Sequence, residues 1–260
     1  MAMTALLTGT PLSGRIAVMS GASSGMGAAA AERLAELGAT VAVLARRKDR
    51  LDDIVERVEA AGGSAMAIAV DVTDRAAVQA AADQVAERFG TTDLVFNNAG
   101  VQIVSGIEEL KVDDWQRQID LNISGLMNVI AAFLPHLTDS AAQGRPADLI
   151  NTSSIAATRI LPRLSIYSGT KAYISQLTRL LRVELGPKMV RVAAIEPGMV
   201  DTELPDHVGN TDTSQYINDL INGIDVLQSA DIAETLAFMA ALPRHVNLSE
   251  ITVFPTAQAL

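Results

Sequence analysis

Ser20-Gly21-Ala22-Ser23-Ser24-Gly25-Met26-Gly27 joins a short apolar strand, Arg15–Ser20, to an Ala-rich helix, Gly25–Leu37. Outward from this turn the same alternation continues. Gly38 ends the helix and Thr40–Ala45 reads as a second strand. Leu51, Ile54, Val55 and Val58 recur at i, i+3, i+4 and i+7, marking one helix face that stops at Gly62-Gly63. Ala65–Val70 is strand three, Arg75–Phe89 a helix closed by Gly90, and Asp93–Asn97 strand four. Asp113–Leu137 reads as one long helix with Pro135 near its end, followed by strand five, Ala147–Thr152. Ser168–Leu185 is a helix closed by Gly186-Pro187, and Val190–Ile195 is strand six. After an irregular stretch, Pro197–Ser229, come a helix, Asp231–Ala241, and a last strand, Glu250–Phe254. Strands such as Val41-Ala42-Val43-Leu44 are apolar throughout, as strands covered on both faces must be. The rhythm predicts an α/β fold: a single Rossmann-type, doubly wound parallel sheet of about seven strands flanked by helices. Residues 1–12 read as a flexible arm and 13–260 as one domain, with a substrate lid within 203–228.

The composition narrows the classes of function. Of the 260 residues, 49% are apolar and 19% charged, which excludes a disordered chain. Cysteine is absent, so disulfides, thiolate metal sites and a Cys nucleophile are excluded, and a reducing cytoplasm fits. His136, His207 and His245 are scattered without metal-ligand spacing, and no metal is expected. The net charge of −10 argues against nucleic-acid and anionic-lipid partners. No 18-residue apolar run reads as uncharged enough to cross a bilayer, and Met1–Thr10 lacks the basic start of a secretory signal.

A helix N-terminus offers unpaired N–H groups and the positive end of a dipole, and glycines let a pyrophosphate approach them. Gly21, Gly25 and Gly27 are spaced G-x-x-x-G-x-G. The same glycines could serve only tight packing, but their place between the first strand and first helix favours a dinucleotide. Asp71, after strand three, could accept the adenine amino group or merely cap a helix. At the tip of strand two, where an NAD site places an acid, the chain reads Ala45-Arg46-Arg47. A guanidinium there suits a 2′-phosphate, so NADP(H) is the expected cofactor.

Tyr167 and Lys171 are i and i+4 on one helix face, and Ser154 lies thirteen residues before Tyr167 at the end of strand five. An ammonium beside a phenol lowers its pKa, and a serine hydroxyl can hold a substrate oxygen. Taken with Asn97-Asn98-Ala99-Gly100, Asn122 in Leu121-Asn122-Ile123-Ser124-Gly125, and Pro197-Gly198, the chain resembles the short-chain dehydrogenase/reductase family over nearly its whole length. The resemblance implies that Tyr167 is general acid in reduction and base in oxidation, and that Ser154 polarises the carbonyl. It implies that Lys171 lowers the Tyr167 pKa and holds the nicotinamide ribose, and that Asn122 anchors a water leading from Lys171 to solvent. The cofactor set is then Gly21, Ser23, Ser24, Gly25, Met26, Gly27, Arg46, Arg47, Asp71, Val72, Asn98, Ala99, Gly100, Tyr167, Lys171, Pro197, Gly198, Val200 and Thr202, the last near the nicotinamide carboxamide. Ser20 stands where the family usually has Thr, keeping the hydroxyl. Ser153 is a neighbour that could be mistaken for Ser154, and spacing selects Ser154.

Glu196-Pro197-Gly198 and Asp201-Thr202-Glu203-Leu204 are similar to a branch of NADP-dependent aldehyde and ketone reductases that includes clavulanate dehydrogenase. The implied reaction is reversible reduction of a neutral aldehyde or ketone. The rivals are a ketoacyl-thioester or polyketide ketoreductase, for which Arg159 or Arg163 could hold a phosphopantetheine arm, and a catalytically silent NADP-binding regulator. Ile103, Val104, Ile155, Ile160, Leu161, Met199 and Leu204 are expected to form a mostly apolar substrate wall. The helices Asp113–Leu137 and Ser168–Leu185, which in the family pack on symmetry mates, carry Leu126, Val129, Ile130, Phe133, Leu177, Leu180 and Leu181. A homotetramer or homodimer is expected.

Overall fold

The structure, a computed structural model, describes residues 7–202 and 224–258. Strands β1 (Ile16–Ser20), β2 (Thr40–Ala45), β3 (Ser64–Ala69), β4 (Leu94–Asn97), β5 (Asp148–Thr152) and β6 (Arg191–Pro197) build a sheet that a last strand completes. A two-stranded pair, β7 (Val200–Asp201) with β8 (Leu227–Gln228), precedes that strand, β9 (Glu250–Val253). The main sheet has seven strands in the order β3-β2-β1-β4-β5-β6-β9, and every neighbouring pair is parallel. Strand order reverses between β1 and β4, where Val18 pairs with Ala42 on one side and Val95 on the other. That switch opens a crevice at the carboxyl ends of the strands.

Alternation along each strand sends side chains to two separate cores. Ala17 and Met19 of β1 pack with helices α1 (Gly25–Glu36), α2 (Lys48–Ala60) and, near the C-terminus, α7 (Ser229–Ala241). Val18 faces the other way, toward α3 (Arg75–Phe89), α5 (Leu126–Ala142) and α6 (Ser165–Leu185). Each strand is therefore covered on both faces, which is why β2 has no polar interior position.

The long helix expected over Asp113–Leu137 is not regular. It comprises α4 (Val112–Ile119), a π turn over Asp120–Gly125, and α5, which runs on to Ala142 through Pro135. This run is, by length and composition, apolar enough to cross a membrane, contrary to the sequence expectation. Here it packs instead against the sheet through Leu126, Val129, Ile130 and Phe133. Those four were expected to leave surface for a partner, but they are spent on the parent core.

Of the arm expected over residues 1–12, the described part, 7–12, is anchored to the domain. Leu12 is buried in the core, its N–H donates to Leu37 O at 2.9 Å, and Leu7 O accepts from Arg33 Nη2 at 2.7 Å.

At the opposite edge from the crevice, four strand entries are tied by charge. Arg15 donates to Asp93 and Asp148, and Arg191 reaches both oxygens of Asp148 at 2.6 and 2.7 Å. Arg145 adds a bond to Asp93. Burial pushes the Asp93 carboxyl above its usual range even with these guanidinium partners.

Candidate active site

The glycine turn is built around close approaches. A Cβ on Gly21 would stand 2.6 Å from Ala99 Cα, and Gly21 has φ +64°. A Cβ on Gly27 would stand 2.5 Å from Gly21 O and 2.8 Å from Asn98 Nδ2. Gly25, at φ +55°, abuts Thr202. The Ser20 hydroxyl accepts from Asn98 N and Ala99 N at 3.1 and 3.2 Å, clamping β1 to the end of β4. No side chain caps the α1 N-terminus. Its N–H groups therefore face the crevice without a protein substitute for an anion.

A cavity of about 530 Å³ extends from this turn. Gly21, Ser23, Ser24, Gly25, Met26, Arg46, Arg47, Asp71, Val72, Asn98, Ala99, Gly100 and Thr202 all line it, whereas Gly27 lies behind the wall. Arg47 donates to Ser23 Oγ and Ser24 Oγ, each at 2.9 Å through Nη2, so one guanidinium is held over the glycine turn. Arg46 is exposed beside it. Burial alone would raise the Asp71 carboxyl, but bonds from Thr73 N and Oγ1, with the Arg46 charge nearby, hold it below the usual range. Asp71 is not the helix cap: Asp74 caps α3 by accepting from Ala76 N and Ala77 N. The residues therefore fit a dinucleotide with an additional phosphate.

Sequence reasoning missed one wall of this cavity. Asp113, Gln116, Arg117 and Asp120 line it from α4 and the π turn. They are spaced i, i+3, i+4, i+7, so the face was legible, but which way it pointed was not.

A second cavity adjoins the first, lined by Ser154, Tyr167, Lys171, Asn98, Gly100, Pro197, Gly198, Val200 and Thr202 among others. Ser154 lies two residues beyond β5 and caps a short turn, its hydroxyl accepting from Ala156 N at 3.1 Å. Tyr167 and Lys171 project from the first turns of α6. The Tyr167 hydroxyl lies near Ser154, whose side chain lowers its pKa somewhat, but burial dominates and pushes it up to about 12. Lys171 Nζ donates to Thr152 O at 2.8 Å and lies 5.7 Å from the Tyr167 ring centroid. Burial lowers the Lys171 pKa to about 8. The expected lowering of the tyrosine by the lysine is not seen: desolvation raises the phenol, and Lys171 is not among the groups acting on it.

Asn122 sits in the π turn, buried. Its Oδ1 accepts from Val101 N at 2.8 Å, and its Nδ2 donates to Val101 O and Thr170 Oγ1. A Cβ on Gly100 would stand 3.3 Å from Asn122 Oδ1 and 3.8 Å from Lys171 Nζ, so Gly100 separates the two. Asn122 thereby ties the β4 exit to α6. Ser153 is structural: it bonds Lys171 O and Ser175 Oγ, and Ser175 donates to Glu196 Oε1.

The expected apolar wall is realised in part. Ile155, Leu161 and Met199 line the second cavity. Ile103 and Val104 are buried behind it, Val104 against Tyr167, and Ile160 is exposed. Leu204, His207 and the lid over 203–223 lie outside the described residues. Gln102, in a stretch expected to set specificity, also lines the cavity, and so do Leu164 and Gln258, which were not anticipated. Gln258, far along the chain, carries no motif that would have marked it.

Fold and site define a nucleotide-dependent oxidoreductase on a doubly wound sheet. The chain belongs to the short-chain dehydrogenase family, whose sequence model matches residues 15–213. It is 35% identical over 246 residues to sulfoacetaldehyde reductase 2 of Chromohalobacter salexigens, covering 94% of this chain and 95% of that protein. A closed form of serine dehydrogenase complexed with NADP+ superposes with a TM-score of 0.86 at 27% identity, covering 94% and 96% of the two chains. The alcohol dehydrogenase of the archaeon Thermococcus sibiricus, complexed with 5-hydroxy-NADP, gives 0.82 at 28% identity, covering 95% and 98%.

Proposed function

We propose that this chain is an NADP(H)-dependent carbonyl reductase, reversible as an alcohol dehydrogenase, acting on neutral aldehydes or ketones. The observation that carries the reading is the meeting of Ser154, a buried Tyr167 and Lys171 in the second cavity, which adjoins the one at the glycine turn. When bound, the nicotinamide supplies the hydride in reduction and receives it in oxidation. Ser154 and Tyr167 hold the substrate oxygen. Tyr167, protonated at neutral pH, gives its hydroxyl proton to the oxygen as negative charge develops there. Lys171 places a positive charge near the phenolate that results, and Asn122 holds the Lys171 surroundings in register.

Arg46 and Arg47 support NADP(H) over NAD(H), because the tip of β2 offers guanidinium groups and no carboxylate to a ribose hydroxyl. The Glu196-Pro197-Gly198 segment supports the carbonyl-reductase branch. The thioester rival is weakened because Arg163 is engaged by Glu109 at 3.0 Å rather than lining the cavity. The test is a spectrophotometric panel of aldehydes and ketones run with NADPH and NADH side by side. The reading expects turnover with a lower KM for NADPH, and equal KM values for the two cofactors would reject the NADP(H) preference.

The same proposal includes a two-fold symmetric oligomer, tetramer or dimer. Ile119 on α4, Met127 on α5, and Tyr173, Leu180 and Val183 on α6 are exposed apolar side chains on neighbouring helices. Light scattering at micromolar concentration should give a multiple of 27.4 kDa, and a monomer mass would refute it.

A further inference from the structure

Two primary amides reach the cavity beside Ser154 and Tyr167 from distant parts of the chain. Gln102 comes from the segment after β4, and Gln258 from the residues after β9. Gln258 Oε1 accepts from Met199 N at 3.0 Å. A Cβ on Gly198 would collide with that oxygen, so the glycine makes room for the amide. The bond to Met199 orients the group, and Nε2 is left shielded from water with no hydrogen-bond partner among the described residues. A buried donor without an acceptor is costly, and a ligand that brings an acceptor removes the cost.

Charge sets the kind of acceptor. Lys171 is the one Lys or Arg among the described residues lining this cavity, and its Nζ is bonded to Thr152 O. Residues 203–223 contain Glu203, Asp206, Asp212 and Asp219, and no Lys or Arg. A carboxylate, sulfonate or phosphate on the substrate would therefore find no Lys or Arg among the described lining residues other than Lys171, which the proposed reaction keeps beside Tyr167. A neutral oxygen needs no cation and matches an amide N–H.

We infer that Gln258, supported by Gln102, selects carbonyl substrates that carry a second, uncharged oxygen: an ester carbonyl, an ether or a hydroxyl. On binding, a shift of the Gln258 amide uncovers Nε2, which donates to that oxygen while Ser154 and Tyr167 hold the reacting one. The inference rests on the carbonyl-reductase reading above and adds a substrate class to it.

The test compares ethyl acetoacetate with octan-2-one, two neutral ketones of similar size, under NADPH in the full-length chain. The readout is the ratio of their kcat/KM values in the unmodified protein, in Gln258→Met and in Gln258→Glu. Intrinsic reactivity cancels when ratios are compared between variants. Gln258→Met removes the amide at similar volume. Gln258→Glu keeps an oxygen for Met199 N and loses the donor. The ratio should fall about tenfold in both variants, the scale of one hydrogen bond. A purely structural role would lower both substrates alike and leave the ratio within about twofold. That result in either variant overturns the inference. If the unmodified protein reduces neither ketone, the carbonyl-reductase reading itself fails and the inference falls with it.

Discussion

Burial acts on Tyr167 and Lys171 in opposite directions, raising the phenol to about 12 and lowering the ammonium to about 8. The phenol therefore keeps its proton at neutral pH, the state that the proposed reduction requires. Tyr167→Phe should fold and bind NADPH, measured by fluorescence titration, yet lose about 10²–10⁴-fold in kcat. Retention of more than about a tenth of the activity would contradict the assignment, since general acid catalysis is worth far more. The same values set the pH profile. Reduction needs both protons in place, and Lys171 loses its proton first as pH rises. The kcat/KM for reduction should fall with an apparent pKa near 8. In Lys171→Arg, whose charge persists across that range, this limb should vanish from the residual activity. A limb near 8 that survives the substitution belongs to another group.

Among the elements, the glycine turn and the π turn do most to shape the site. Gly21 combines a positive φ with a backbone wall on the side where a Cβ would go. Gly62 shares the positive φ, +83°, but nothing lies within 4 Å of its Cβ position. Gly62→Ala should cost about 1–2 kcal/mol, the price of left-handed backbone alone. Gly21→Ala should cost more than that and also weaken NADPH, because Ala99 and the loop it belongs to must move. Urea denaturation and cofactor titration on both variants check the contrast, and equal losses would show that the close approach carries no weight. The π turn over Asp120–Gly125 places Asn122 where it can bond Val101 and Thr170 together. Wide turns of this kind are frequent at functional sites. Nothing in the apolar periodicity of Asp113–Leu137 announced it, because one extra residue in a turn changes the register without changing the composition.

For the whole molecule, the buried charges at the edge away from the crevice are the main polar fastening. Arg15, Asp93, Asp148 and Arg191 come from the entries to β1, β4, β5 and β6, so they join the two halves of the sheet. Asp148 faces two guanidinium groups. Asp148→Ala would leave both buried without it, and stability should fall by about 3–5 kcal/mol. Chemical denaturation measures this directly, and a loss below about 1 kcal/mol would mean that the pairs merely offset their own desolvation.

Several features were fully legible along the chain. The sheet follows from local periodicity and from glycines that end several of the helices, which are properties of neighbouring residues. The meeting of Ser154, Tyr167 and Lys171 in one cavity was legible because Tyr167 and Lys171 are one helical turn apart and Ser154 follows a strand end, so spacing carried their placement. The basic tip of β2 was legible because Arg46 and Arg47 are adjacent on so acidic a chain. Other features belonged to the tertiary structure alone. Leu126, Val129, Ile130 and Phe133 look like an interface in sequence, and only packing shows that the sheet already covers them. The α4 face lining the cofactor cavity has a visible spacing, but its direction depends on where the helix docks. Gln258 reaches the site from the end of the chain through a bond to Met199. The difference is one of range. Local order is written in residues a few positions apart, whereas a cavity wall and a buried charge network are set by contacts between residues far apart in the chain, whose meeting depends on the complete fold.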